Sequence, residues 1–271
     1  MHSAHGPGRD LRRESGDRSE HSPFLSVVVP AYNEESRLGL SLSRILSYLA
    51  AQPFESEVVV VDDGSTDSTH LVVQELASTD GRVRLLSHHP NRGKGFAVRR
   101  GMLEARGSRI LFSDADLSTP IEELSLLSAA LDRGCDVAVG SRDVVGSELV
   151  RRQSLLRETG GRMFNRVVQW MAVPGIRDTQ CGFKLFTRDA ARRVFGRCVI
   201  DGFAFDVEAL HVARNILGYT IAEVPVRWSH CEGSKVSVVR HGLIMLREVV
   251  RIRRTAYARM AVDERSLADV V

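Results

Sequence analysis

EVVVVDDGSTD, residues 57–67, sets the fold class. Its four consecutive valines show no alternation of apolar and polar residues, so the segment has no side meant for water. A strand of this kind is covered on both faces, as the strands of a parallel sheet are. The residues that follow, two Asp and then Gly, Ser and Thr, suit a turn and the N-cap of a helix. The run reads as a buried strand leading into a helix.

The same alternation extends outward in both directions. LSVVV (25–29) reads as the first strand, and Leu38, Leu42, Ile45, Leu46 and Leu49 after it share one helical face. DSTHLVVQELA (67–77) is a helix, RVRLLS (82–87) a strand, GFAVRRGMLEA (95–105) a helix and RILFS (109–113) a strand. Ile121, Leu124, Leu127 and Leu131 mark a further helix, and DVAVG (136–140) a fifth strand. This order predicts an α/β, Rossmann-like, mostly parallel sheet with helices on both faces. The pattern changes after Ser141. Residues 147–172 read as amphipathic helix broken at Gly160 and Gly161, and residues 238–259 as a last long helix. YTIAEVPVRW (219–228) reads as a late strand in which Pro225 marks an edge or bulge. No internal repeat is evident.

Composition bounds the function. The chain has 271 residues, 43% hydrophobic and 26% charged, with a net charge of only +3, which suits a soluble globular protein and advertises no polycation. Cys135, Cys181, Cys198 and Cys231 form no C-x-x-C pair and have no His at metal-finger spacing, so a reducing compartment is expected. Residues 1–23 are polar and rich in Gly, Ser and Arg, and read as a disordered tail without a signal-peptide core. No apolar run approaches the roughly 18 residues of a membrane span.

In open α/β sheets ligands sit beyond the carboxyl ends of the strands. Here those ends are PAYNEE (30–35), DDGSTD (62–67), NRGKG (91–95), DAD (114–116) and Ser141-Arg142. Each has a bland reading as turn or cap chemistry. Five polar strand ends converging on one edge are harder to dismiss, and DDGSTD carries more carboxylates than capping needs. NRGKG lacks Walker spacing, and no G-x-G-x-x-G follows the first strand, so dinucleotide binding is disfavoured. Its glycines let backbone approach a ligand, and Lys94 can offset negative charge. Asp114 and Asp116 suit a hard divalent cation, Mg²⁺ or Mn²⁺, shared with substrate phosphates. LSTP after them still resembles helix-entry chemistry, so Asp116 can also serve as a turn or cap residue.

Together SVVVPAYNEE, VVVVDDGSTD, NRGKGFAVRRGM and SDADLSTP resemble an inverting family-2 glycosyltransferase of the GT-A fold, over residues 25–239. GIRDTQCGFKLFTRDAA, FAFDVEAL and EVPVRWSHCEGSKV resemble its dolichyl-phosphate β-glucosyltransferase subgroup, which moves glucose from UDP-glucose to a polyprenyl phosphate. The resemblance implies that Pro30, Tyr32 and Glu34 line the nucleoside pocket, that Asp63 reads uracil and that Asp62 supports it. It places Lys94 near the nucleotide, Asp114 at the ribose or sugar and, with Asp116, at the metal. Ser141, Arg142 and Lys235 would meet the acceptor phosphate, with Gln180 and the Gly-Phe-Lys run after it close by. The catalytic set implied is Asp114, Asp116, Arg142 and Gln180. Residues 24–236 would form the catalytic domain, 237–259 a C-terminal amphipathic helix and 260–271 a tail.

A lipid acceptor needs a chain that reaches the bilayer. In the last helix Arg240, Arg247, Arg251 and Arg254 form one stripe beside Val239, Leu243, Leu246 and Val250. In residues 147–172, Arg151, Arg152 and Arg157 precede Met163, Phe164, Val167, Val168, Trp170 and Met171. Both suit an interfacial surface on anionic lipid. Both have packing as the alternative, against the catalytic domain or, for the second segment, a second copy in a homodimer. The expected location is cytoplasmic, peripheral to the inner membrane face. Rival readings are a GDP-mannose donor, a soluble acceptor and a non-catalytic nucleotide-sugar sensor. Nucleic-acid binding is not expected, because stacking aromatics are scarce at the basic C-terminus.

Overall fold

The computed structural model describes residues 22–144, 147–151, 172–229 and 247–255. The strands are β1 (Leu25–Ala31), β2 (Ser56–Asp62), β3 (Val83–Ser87), β4 (Arg109–Ser113), β5 (Val137–Ser141), β6 (Glu148–Arg151), β7 (Phe183–Thr187), β8 (Ile221–Pro225) and β9 (Arg227–Ser229). Among the described residues seven of them form one sheet in the order β3-β2-β1-β4-β7-β5-β8, and β6 pairs with β9 in a small second sheet. The helices are α1 (Leu38–Ala50), α2 (Thr69–Thr79), α3 (Lys94–Glu104), α4 (Leu124–Asp132), α5 (Arg188–Phe195) and α6 (Phe205–His211), with α7 over residues 247–254. β1 pairs in parallel with β2 and β4, and β2 with β3.

The valine run of β2 explains the layering. Val58 and Val60 enter one core, with Leu38, Leu42, Ile45 and Leu49 of α1 and Leu124 and Leu127 of α4. Val59 and Val61 enter the other, with Ala97, Val98 and Met102 of α3, Val194 and Phe195 of α5, and Val207 and Leu210 of α6. Side chains alternate across a strand, so a run apolar at every position must be covered twice. Each such side chain contributes roughly 1.5–3 kcal/mol on burial. Val249 and Ile252 of α7 belong to the second core. The described part of the last helix thus packs inward, leaving Arg247, Arg251, Arg253 and Arg254 exposed.

Two features depart from expectation. Residues 148–151, expected as helix, form β6, because β9 offers an edge and pairs Glu148 with Arg227 and Leu149 with Trp228. Four residues are too few for the amphipathic pattern to distinguish a period of two from one of 3.6. The remainder of that segment, residues 152–171, lies outside the described residues, as do Lys235 and residues 238–246. The second departure is β7, which lies antiparallel between β4 and β5. Its sequence, FKLFT, is buried except at its end, and a buried lysine at its second position hides the strand character. β8 is the expected late strand at the sheet edge, ending on Pro225.

Candidate active site

The carboxyl ends of β1, β2 and β3 are laced together by their own polar residues. Ser65 Oγ accepts the Asn33 N–H at 3.0 Å, and Asn33 Oδ1 accepts the Thr66 N–H at 2.8 Å. Thr69 Oγ1 accepts the Glu34 N–H at 2.7 Å, while the Glu34 carboxylate holds Arg37. Pro30 is buried, and Tyr32 stands 40% exposed at the rim. Asp62 is buried, accepts the Ser65 N–H at 3.0 Å and lies 3.5 Å from His70 Nδ1.

Asp63, expected at the nucleobase, is only 3% exposed. Its Oδ1 takes the Arg92 N–H at 2.9 Å and lies 2.7 Å from His88 Nε2. Its Oδ2 takes the Asn91 amide and the Gly93 N–H, both at 2.9 Å. A carboxylate offers about four lone-pair directions. All are used on residues 88–93, so this side chain fixes the third loop and could accept from a base only if that loop let go. The glycines of NRGKG also serve packing. A Cβ on Gly93 would lie 2.5 Å from the Asp201 carbonyl oxygen, and one on Gly95 2.4 Å from that of Ile200.

The loop so fixed aims Lys94 at the fourth strand end, with Nζ 2.6 Å from Asp114 Oδ1. The Asp114 N–H donates to the Gly182 carbonyl at 3.0 Å, and its carboxylate lies over the Gly182 Cα, where a Cβ would come within 1.9 Å of Oδ2. Asp116 Oδ1 accepts the Ser118 N–H at 3.0 Å, and Leu117 adopts a left-handed φ of 47°. Asp116 thus does perform the turn duty that LSTP suggests. Below this turn lies a charged pair that sequence reasoning left unpaired. Lys184, 1% exposed, bonds to Asp206 and donates to the Cys181 carbonyl at 2.6 Å. Burial pushes the Asp206 carboxyl upward, against the pull of Lys184 and Lys94. Burial alone would lower Lys94, but Asp114, Asp206 and Asp116 hold it above its ordinary value.

On the fifth strand end Arg142 is clamped to Asp178, which is 0% exposed. Its Nε and Nη2 donate to the two carboxylate oxygens at 2.6 and 2.8 Å, and its N–H donates at 3.0 Å. The fork geometry is the strong form of such a pair. Burial opposes both charges, yet the pairing wins, lowering Asp178 and raising Arg142. Glu223 of β8 anchors the segment by accepting the Arg177 and Asp178 N–H groups at 2.9 and 3.0 Å. The Arg142 guanidinium lies 5.3 Å from the Trp228 ring centroid. Trp228 in turn lines a small cavity, about 10 Å³, with Asp114, Ser118 and Gly182, and so joins the fourth and fifth strand ends. Ser141 is fully buried, its hydroxyl unpartnered among the described residues. Gln180 is half-buried, with its N–H 3.3 Å from Asp178 Oδ1.

Asp178, Asp206 and Trp228 lie within DTQCGFK, FAFDVE and VRWSH. These segments carry the subgroup resemblance, but nothing in their spacing shows that Asp178 pairs with Arg142, Asp206 with Lys184, or that Trp228 faces Arg142. A larger cavity, about 760 Å³, opens at the opposite edge beside Glu57, Arg84, Arg106 and Arg192. It shares no residue with the strand ends above, and ligands of such sheets sit beyond the carboxyl ends. Among the described residues no three His, Cys, Asp or Glu gather into a metal cluster. The donor set is two carboxylates on one turn, one already facing Lys94. That fits Mg²⁺ or Mn²⁺, which take one or two carboxylates and complete their shell with water and substrate phosphates.

An open, mostly parallel sheet with carboxylates and basic groups gathered at its carboxyl edge places its ligand site beyond the strand ends. Residues 26–195 match the family model for Glycosyl transferase family 2, and the chain belongs to that family: it is a glycosyltransferase. It is similar to the dolichyl-phosphate β-glucosyltransferase of Drosophila melanogaster, 43% identical over 86% of this chain and 76% of that protein. The enzyme of that name from Dictyostelium discoideum is 40% identical over 85% of this chain and 74% of its own length. Among solved structures, glucosyl-3-phosphoglycerate synthase from Mycobacterium tuberculosis in complex with Mn²⁺, UDP and phosphoglyceric acid superposes with a TM-score of 0.63. It is 20% identical, over 88% of this chain and 80% of that one. The fold is GT-A-like.

Proposed function

We propose that this chain transfers glucose from UDP-glucose, with inversion, to the phosphate of a dolichyl-type polyprenyl lipid. The names of its relatives support the sugar and the acceptor class. The observation that carries the reading is the paired arrangement at the carboxyl edge. Lys94, Asp114 and Asp116 form a donor side, Arg142 on Asp178 an acceptor side, and Trp228 lies between them.

An acceptor phosphate is already an anion near neutral pH, so the chain needs no strong general base. Its task is positioning and charge stabilisation. Asp114 and Asp116 would hold a divalent cation with the donor diphosphate, and that cation would supply Lewis-acid stabilisation of the leaving group. Lys94 adds a positive charge to the same side. Asp63 keeps the loop of Lys94 rigid rather than reading the base, and Tyr32, Glu34, Pro30 and Asp62 bound the nucleoside region. Arg142 presents a fixed cation to the acceptor phosphate, which suits Arg better than Lys. One phosphate oxygen then displaces UDP from the opposite face of the anomeric carbon, turning an α-linked donor into a β-linked lipid phosphate. Gln180 lies beside this clamp, and Lys235 is kept as a further phosphate contact. The exposed arginines of α7 provide a basic face toward anionic lipid at the membrane's inner face. Among the described residues no helix is long and apolar enough to cross a membrane.

A donor screen with Mg²⁺ or Mn²⁺ tests the reading. With polyprenyl phosphate as acceptor, UDP-glucose should give a hexosyl lipid phosphate by mass. Turnover with GDP-mannose alone would refute the donor, and turnover only with a soluble acceptor would refute the lipid.

A further inference from the structure

Asp114 is not an open ligand. Lys94 Nζ sits 2.6 Å from Oδ1, and Gly182 presses against the carboxylate from the other side. The lysine is also confined. Its ammonium is 5.6 Å from the centre of the Phe112 ring, and Lys184 Nζ is 5.7 Å from the same ring. Asp206, another carboxylate that attracts Lys94, already carries Lys184 as its cation. The Lys94 side chain is nonetheless 29% exposed, so a path away from Asp114 toward solvent is open to it.

We propose that Lys94 is a resident counter-ion that competes with the divalent cation for Asp114, and that it moves onto the donor diphosphate when cation and nucleotide arrive together. The inference rests on the donor reading above and adds an order of binding to it. A divalent charge brought beside an ammonium is repelled, and the more strongly where water is excluded. Nucleotide phosphates reverse the sign, since they attract both cations at once. The cation alone binds weakly to this site, the cation with nucleotide binds well, and the coupling is reciprocal.

Mn²⁺ binding to the whole chain, read from the electron-paramagnetic signal of free Mn²⁺, tests this without any turnover. Lys94→Met keeps the aliphatic stem and removes the charge. In the absence of nucleotide it should bind Mn²⁺ on the order of tenfold more tightly than wild type. With UDP present that advantage should vanish, and UDP affinity should fall. Lys94→Gln should behave as Lys94→Met, and Lys94→Arg as wild type. Binding of Mn²⁺ alone that is unchanged or weaker in both neutral variants overturns the inference. Failure of wild type to bind UDP-glucose in the presence of Mn²⁺ overturns the donor reading and the inference with it, in an arm that needs no variant.

Discussion

Gly182 is the residue on which the fourth strand end leans most closely. A methyl group there would collide with the Asp114 carboxylate, so Gly182→Ala is expected to lower kcat by at least tenfold while far-UV circular dichroism stays that of wild type. Unchanged turnover would mean that the Asp114 carboxylate has no fixed place in the reaction. Asp178→Asn should cost about 3 kcal/mol or more at neutral pH, because it leaves the Arg142 charge without its buried partner. The pH sign follows from the lowered Asp178 pKa. Its contribution is complete above the unfolded value of about 3.9 and is lost as pH falls through the lower folded value. Urea titrations of the two proteins should therefore differ at pH 7 and converge in acid. Asp114 and Asp116 were legible in the sequence because they interrupt an apolar run. The part Asp63 plays was not, since its four partners come from residues 88–93 and belong to another strand end.

At the scale of elements, legibility followed uniform burial. The valines of β1 and β2 and the leucines of α1 advertise their neighbours, and those elements lie where the periodicity placed them. β7 does not, because Lys184 interrupts its apolar pattern, and the reason for that lysine is Asp206 on α6, outside the strand. α7 divides into two faces with separable effects. Ile252→Ala should cost roughly 2–5 kcal/mol through the cavity it leaves, seen as a Tm lowered by several degrees. Arg251→Glu with Arg254→Glu should leave Tm within a degree or two, since both are exposed. The same pair should reduce co-sedimentation with anionic liposomes. Equal sedimentation of that variant would assign the arginines to solvent.

For the molecule as a whole, the proposed donor side would draw on residues 30–116 and the proposed acceptor side on residues 141–228. The two halves should fail differently. Asp116→Ala should abolish Mn²⁺-dependent UDP binding and transfer together. Arg142→Ala should leave UDP affinity within about twofold and raise the KM for lipid phosphate by at least tenfold. A shared phenotype, with UDP binding lost in both, would mean that the clamp on Asp178 supports the donor loops as well.

The placement of β7 has a further consequence during synthesis. Both sheet neighbours of β5, β7 and β8, come later in the chain than β5 itself. A nascent chain that has emerged through residue 141 can assemble β3-β2-β1-β4, but the outer edge of β4 must wait for residues 183–187 to cover it. Until then that edge is a row of unpaired peptide groups on a buried, apolar strand, the kind of template that recruits other chains. A chain stopped between β5 and residue 178 would lack the Asp178 partner of Arg142 and would also keep a sticky edge, so premature termination there should yield aggregates rather than a half-folded domain.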